Sequence, residues 1–264
     1  MTDRYAVIGN PISHSKSPLI HKMFAQQTAQ DISYEAIAAP LDGFAATIEQ
    51  LRNEGYKGCN ITVPFKFEAY SRATELSERA QTAQAVNTLS FKGDTILGEN
   101  TDGIGLVRDI EQNLGVSLQN KCVLLMGAGG ASFGVALPLL RTHCRLSVVN
   151  RTAAKALQMT ATFNGIRALT YEDLIGLQFD LVINATSAGL TDSEIPLPKG
   201  IFAKGALAYD MMYGRETPFM AFARSEGVQV ADGLGMLVEQ AAEAFHIWRG
   251  VRPDTAPVMT ALRK

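Results

Sequence analysis

The segment Val123-Leu124-Leu125-Met126-Gly127-Ala128-Gly129-Gly130-Ala131-Ser132 constrains the fold more than any other stretch of the chain. An apolar run of the length of one buried strand stops at a glycine cluster, and a helix-forming segment follows. Gly127 permits the tight turn out of the strand, Gly129 lets a ligand approach the backbone, and the following helix N-terminus offers N–H groups without intrahelical partners. Ser132 stands where the general pattern has its third glycine, and it is small enough for close helix–strand packing. Gly127, Ala128, Gly129, Gly130 and Ala131 therefore read as a cradle for the pyrophosphate of a dinucleotide.

The next apolar strand, Leu146-Ser147-Val148-Val149, ends in Asn150-Arg151-Thr152. An NAD-binding protein usually carries Asp or Glu at this point, about twenty residues after the loop, to hold the ribose hydroxyls. No acid is present. Arg151 can instead pair with a 2′-phosphate while its flat guanidinium lies against adenine, with Asn150, Thr152 and Lys155 adding hydrogen bonds or charge. The expected cofactor is NADP. Ala185, Thr186 and Ser187 follow a further apolar strand, Leu181–Asn184, at the carboxyl edge where open parallel sheets bind ligands. They read as contacts to the ribose or nicotinamide half, and equally as an ordinary strand-to-loop turn.

Similar short apolar runs occur at Tyr5–Gly9, Cys59–Val63, Lys121–Met126, Arg145–Val149 and Ala206–Asp210, with helix-period segments such as Gly103–Leu114 and Ser132–Arg141 between them. The alternation predicts a layered α/β fold. A chain of 264 residues is long for one domain, and a division into two is expected. Near the C-terminus Leu234, Leu237, Val238, Ala241, Ala242, Phe245 and Trp248 share a helix face that packs on a core, and Gly233, Met236 and Gln240 form a second stripe that borders it.

Composition narrows the class. A hydrophobic fraction of 47% without a long uninterrupted apolar run argues against a membrane protein. The net charge of −2, with no long basic run, argues against nucleic acid as the main partner. Cys59, Cys122 and Cys144 lack metal-ligand spacing and read as reduced thiols, so no metal is expected. The N-terminus shows no signal-peptide pattern, and a cytoplasmic location is expected.

A chain that binds a hydride donor also needs a group that supplies a proton to the developing alkoxide. Lys66 follows a strand stopped by Pro64, and Asp102 closes the turn Glu99-Asn100-Thr101-Asp102 before a helix. Taken singly, Lys66 also reads as a solvated lysine and Asp102 as a helix N-cap. Their company is more informative. The segments Gly9–Pro18, Asn60-Ile61-Thr62-Val63-Pro64-Phe65-Lys66, Ala85-Val86-Asn87-Thr88, Glu99–Asp102, Tyr209-Asp210-Met211-Met212-Tyr213 and Asp232–Leu237 together closely resemble the shikimate dehydrogenase family.

The resemblance spans nearly the whole chain and implies an N-terminal α/β substrate domain plus a Rossmann-like, parallel-sheet NADP-binding domain, with the active site in the interdomain cleft. It implies a substrate domain of residues 1–101 with 237–264 and a nucleotide domain of 102–236. Lys66 and Asp102 would be the catalytic pair. They would also touch substrate, together with Ser13, Ser15, Thr62, Asn87, Tyr213 and Gln240. Glu78, Met211 and Gly233 would lie near the cofactor, though Glu78 reads equally well as a polar helix start. The implied reaction is the reversible NADPH-dependent reduction of 3-dehydroshikimate to shikimate; monomer and homodimer both stay open, and composition and charge give no reason to expect nucleic-acid or membrane partners. Lys66 would serve as proton donor and acceptor, or stabilise the alkoxide electrostatically. Two alternatives stay open: a quinate/shikimate dehydrogenase of the same superfamily with broader substrate or NAD use, and a noncatalytic sensor of NADP or shikimate-like acids.

Overall fold

The computed structural model describes residues 2–186 and 196–263. Ser187, expected to contact the cofactor, lies outside the described residues. Two compact units form, Met1–Gly105 with Val238–Lys264, and Leu106–Leu237. Asp102 thus belongs to the same unit as Lys66, whereas a boundary at 101/102 would have separated them.

In the first unit the elements are β1 (Asp3–Gly9), α1 (Ser17–Gln27), β2 (Ile32–Ala38), α2 (Phe44–Asn53), β3 (Gly58–Ile61), α3 (Lys66–Arg72), β4 (Glu75–Leu76), α4 (Glu78–Ala83), β5 (Thr88–Lys92) and β6 (Thr95–Glu99), then α5 (Asp102–Arg108). Among the described residues the sheet order is β2-β1-β3-β5-β6-β4. The strands on the β1 side pair in parallel, but β3 with β5 and β5 with β6 run antiparallel. This sheet is therefore mixed, which the apolar runs alone did not distinguish from an all-parallel one. Its core joins Ala6, Ile8 and Ile61 from the strands to Phe44, Ile48, Leu51 and Phe65. β3 ends at Ile61, earlier than the apolar run suggests, because Thr62 to Phe65 form a turn in which Phe65 N–H donates to Thr62 O at 3.0 Å.

The second unit contains β7 (Cys122–Met126), α6 (Gly130–Arg141), β8 (Arg145–Val149), α7 (Ala153–Thr162), β9 (Arg167–Leu169), β10 (Phe179–Asn184), β11 (Phe202–Asp210), α8 (Pro218–Ser225) and β12 (Gln229–Ala231). The order β12-β11-β10-β7-β8-β9 is parallel at every pair. It is a doubly wound sheet whose strand order reverses between β7 and β10, the place where such sheets bind ligands beyond their carboxyl ends. The central strands β7, β8 and β10 bury nearly every residue, hence their continuous apolar runs.

The helix expected over Gly103–Leu114 is α5 continued by a π-helical turn at Asp109–Asn113. In that turn the buried Asp109 carboxylate accepts Tyr209 Oη–H at 2.6 Å and Asn113 Nδ2–H at 2.9 Å. Near the C-terminus are α9 (Leu234–Arg249) and α10 (Ala256–Leu262). The apolar stripe of α9 is buried as expected, with Leu237 and Trp248 half-buried. The second stripe divides: Met236 joins the core of the second unit, and Gln240 belongs to the first. Among the described residues no helix is long and apolar enough to cross a membrane.

Candidate active site

Two local devices fix Lys66. Pro64 prevents β3 from continuing, and buried Phe65 stacks on Phe44 at 4.9 Å, anchoring the residue that begins α3. The Lys66 carbonyl then accepts Val86 N–H at 3.0 Å, which ties α3 to the segment entering β5. Asp102 is fixed from the opposite side. Glu99 accepts Asn100 N–H at 2.9 Å and pairs with Arg79 at 2.9 Å, so the turn between β6 and α5 has little freedom.

Across this frame Lys66 Nζ–H donates to Asp102 Oδ2 at 2.6 Å, with the lysine side chain 29% exposed and the aspartate 13%. Partial burial makes the contact more than a solvated surface pair, while leaving both groups reachable. The other carboxylate oxygen, Oδ1, accepts Asn87 Nδ2–H at 2.8 Å. Asn87 Nδ2 also faces Thr101 Oγ1 at 2.9 Å and Gln240 Oε1 at 3.4 Å. A cation, a carboxylate, two amides and a hydroxyl thus meet at one place, from α3, the start of α5, the residue before β5, α9 and the turn between β6 and α5. Such a set offers donors and acceptors in several directions, as a polyhydroxylated acid requires.

The remaining substrate candidates are less concentrated. Thr62 is half-buried in the turn after β3, its N–H donating to Ile8 O at 2.9 Å. Ser13 is exposed, and Ser15 Oγ accepts Ser17 N–H at 3.3 Å just before α1. Tyr213 lies in the second unit, half-buried, and burial pushes its hydroxyl pKa up.

In the second unit Gly127 ends β7 with φ of 106°, a left-handed conformation that a Cβ would strain, and it is buried with Ala128. Gly129, Gly130 and Ala131 are exposed, and nothing lies within 4 Å of a Cβ built on Gly129. Helix α6 starts at Gly130 with no side-chain cap. Its first N–H groups therefore face outward beside an open backbone, which suits a phosphate. Ser132 is fully buried, in keeping with close packing. Arg151 and Thr152 at the end of β8 and Lys155 in α7 are exposed, and Asn150 Nδ2–H donates to Thr152 O at 2.9 Å. An exposed guanidinium at the end of β8, the strand paired with β7, fits a second phosphate of the same ligand.

At the ends of β10 and β11 a buried polar group organises the other half of this edge. Asp210, fully buried, accepts Asn184 Nδ2–H at 3.0 Å and Met212 N–H at 2.9 Å. Asn184 Oδ1 accepts Thr186 N–H at 3.1 Å, and Asn184 O accepts Met211 N–H at 3.0 Å. Ala185 N–H donates to Met126 O at 2.9 Å. Gly233 N–H donates to Met212 O at 2.9 Å, and a Cβ on Gly233 would stand 2.7 Å from the Met211 carbonyl carbon. Only glycine lets these two backbones touch. Ala185, Thr186, Met211 and Gly233 are thus held together, whereas Glu78 begins α4 in the first unit as an exposed residue.

Comparison with known proteins gives this arrangement a family. Residues 7–89 match the shikimate dehydrogenase substrate binding domain, residues 108–191 the shikimate/quinate 5-dehydrogenase model, and residues 233–263 the shikimate 5′-dehydrogenase C-terminal domain. The shikimate dehydrogenase (NADP(+)) of Methylobacillus flagellatus is 61% identical, covering 99% of both chains. The chain belongs to the shikimate dehydrogenase family. Among solved structures, the Ael1 enzyme from Pseudomonas putida aligns with a TM-score of 0.94 at 52% identity, covering 99% of this chain and 98% of that one. Shikimate 5-dehydrogenase from Thermus thermophilus, solved with NADP(H) and shikimate, aligns with a TM-score of 0.89 at 34% identity over 99% of each chain.

For a member of this family, sequence reasoning passed over two features of the site. Thr101 stood in a quoted turn without a role, yet its hydroxyl lies between Asn87 and Gln240. Asn184 and Asp210 have no role in the sequence pattern beyond closing two apolar strands and, for Asp210, belonging to a segment shared with the family. A polar residue closing an otherwise apolar buried strand was the available signal, since such a group stays buried only if partners await it.

Proposed function

We propose that this chain is an NADP-dependent shikimate dehydrogenase that interconverts 3-dehydroshikimate and shikimate, with Lys66 and Asp102 as its catalytic pair. The observation that carries the assignment of roles is the 2.6 Å contact between Lys66 Nζ and Asp102 Oδ2 inside a cluster of half-buried donors and acceptors. The Gly127–Ala131 backbone, Arg151 with Asn150, Thr152 and Lys155, and, at the nicotinamide end, Ala185, Thr186, Met211 and Gly233 would hold NADPH, which would supply the hydride.

One N–H of the Lys66 ammonium is committed to Asp102, which leaves the other two free to donate to a substrate oxygen. As negative charge develops there, Lys66 donates a proton or stabilises the alkoxide as a cation; in the oxidative direction it takes the proton back. Asp102, held at its second oxygen by Asn87, keeps lone pairs for a substrate hydroxyl. Asn87, Gln240, Thr62, Ser13, Ser15 and Tyr213 recognise the remaining hydroxyls and the carboxylate. Unpaired polar groups left by a substrate lacking a hydroxyl give the site its selectivity. In this reading the enzyme works in the cytoplasm on small molecules, as a monomer or homodimer, without nucleic-acid or membrane partners, and Glu78 contributes near the cofactor.

The test is the loss of NADPH absorbance when purified protein meets 3-dehydroshikimate, with NADH, and quinate plus NAD, in parallel. Selective NADPH oxidation is expected. Stronger turnover of quinate with NAD would overturn the cofactor assignment to Arg151, and NADPH binding without turnover of 3-dehydroshikimate would overturn the catalytic one.

A further inference from the structure

The Asn87 amide must present nitrogen, not oxygen, to Asp102, because an oxygen there would face a carboxylate. What decides its orientation is a chain of hydrogen bonds behind it. At one end Thr101 N–H, a donor that cannot reverse, points at Asn87 Oδ1 at 2.9 Å. At the other end Asn60 Nδ2 faces the Asn87 backbone carbonyl at 3.2 Å, an acceptor that cannot reverse either, so the Asn60 amide is also fixed. Its Oδ1 accordingly accepts the Tyr34 hydroxyl at 2.7 Å.

Thr88 stands between these two fixed amides. It opens β5 and is fully buried. Its Oγ1 receives Asn60 Nδ2–H at 3.0 Å, so its own proton is turned to Asn87 Oδ1, also at 3.0 Å. The donors then run in one direction: Tyr34 to Asn60, Asn60 to Thr88, Thr88 to Asn87, Asn87 to Asp102 Oδ1, with Lys66 on Oδ2. Hydrogen bonds aligned head to tail polarise one another in a low-dielectric interior.

We infer that Thr88 is a positioning residue for the reaction: its hydroxyl fixes and polarises the Asn87 amide, which in turn holds Asp102 against Lys66. The inference rests on the catalytic reading of Lys66 and Asp102 given above. Thr88 itself, paired to β3 and β6 and fully buried, has no exposed surface to offer a substrate. A merely structural hydroxyl would serve stability at this point of the strand and leave turnover alone.

Thr88→Val keeps the volume and removes the hydroxyl; Thr88→Ser keeps the hydroxyl. With 3-dehydroshikimate and NADPH, kcat of Thr88→Val is expected to fall about 10-fold, with NADPH affinity unchanged, and Thr88→Ser to restore it. In an Asn87→Ala background the same Thr88→Val change is expected to cost less than about twofold, because its route to Asp102 is gone. Should Thr88→Val fail to fold, Thr88→Ala carries the same cycle, with thermal melting as the check on stability. An undiminished kcat in the hydroxyl-free variant, no rescue by Thr88→Ser, or an equal loss in the Asn87→Ala background would each overturn the inference while the wild-type enzyme turns over. A wild-type protein without turnover overturns the functional reading, and this inference with it.

Discussion

The Lys66 cluster in the first unit and the glycine edge in the second arrange their polar groups in opposite ways. Around Lys66 the polar side chains already satisfy one another: Asp102 holds Lys66 and Asn87, and Asn87 holds Thr101 and Gln240. At the glycine edge the polar groups stand open, with an uncapped helix start at Gly130 and an exposed Arg151. A substrate recognised through directional hydroxyl contacts needs side chains whose orientation is fixed beforehand. A phosphate is held by backbone N–H groups and by charge, which tolerate small displacements. The first region should therefore govern turnover and the second affinity.

The sharpest way to break this contrast is Lys66→Ala. It should lower kcat about 1000-fold, in the range of a lost acid–base or charge-stabilising group, while leaving NADPH affinity within about twofold. A rise in KM for NADPH with kcat preserved would reverse the contrast. Arg151→Ala should do the opposite: KM for NADPH up about 30-fold, kcat little changed, and the preference over NADH largely erased. Added salt should weaken NADPH binding in the native protein and much less in this variant, because the guanidinium is exposed.

Gln240→Ala should raise KM for 3-dehydroshikimate about 10-fold through the loss of one fixed hydrogen-bonding amide. An effect on NADPH binding instead would move Gln240 to the other side of the contrast.

The smallest effect near neutrality concerns His21, also in the first unit. It is fully buried and stacked on Tyr34, with ring centroids 4.0 Å apart and planes inclined by 6°, and among the described residues neither ring nitrogen meets a partner in good hydrogen-bond geometry. Burial lowers its pKa to about 3, with the nearby Asn60 side chain opposing. Between pH 6.5 and about 3 the unfolded chain binds a proton that the folded one refuses. Stability from this group is therefore complete above that window and falls as pH drops through it, by up to about 1.4 kcal/mol per pH unit. Denaturant melts of His21→Phe should show a shallower acid limb than the native protein; an identical limb would assign the acid sensitivity elsewhere.

Much of the fold was legible because its signals are local. A strand running into glycines, an acid missing after the next strand, and an apolar stripe on the last long helix each follow from residues a few positions apart. The α/β class, the glycine turn between β7 and α6 and the strand end at Arg151 needed no knowledge of distant neighbours. The mixed pairing in the first sheet was less visible, because a short buried strand is apolar whichever way its neighbour runs.

Sequence by itself determined which groups the site can use: a lysine released from a strand by proline, an aspartate at a helix start, and a backbone opened by glycine. Tertiary structure alone decided which of them meet. Asn87 reaches Thr101 because β5 and β6 run antiparallel with Thr88 opposite Glu99, and it reaches Gln240 because α9 returns to the first unit. A side-chain hydrogen bond acts only over about 3 Å, so contacts between residues far apart in sequence exist only once strand register and helix packing have set the distances. That is why Thr101 and Thr88 read as ordinary turn and strand residues in the chain and become parts of one directed network in the fold.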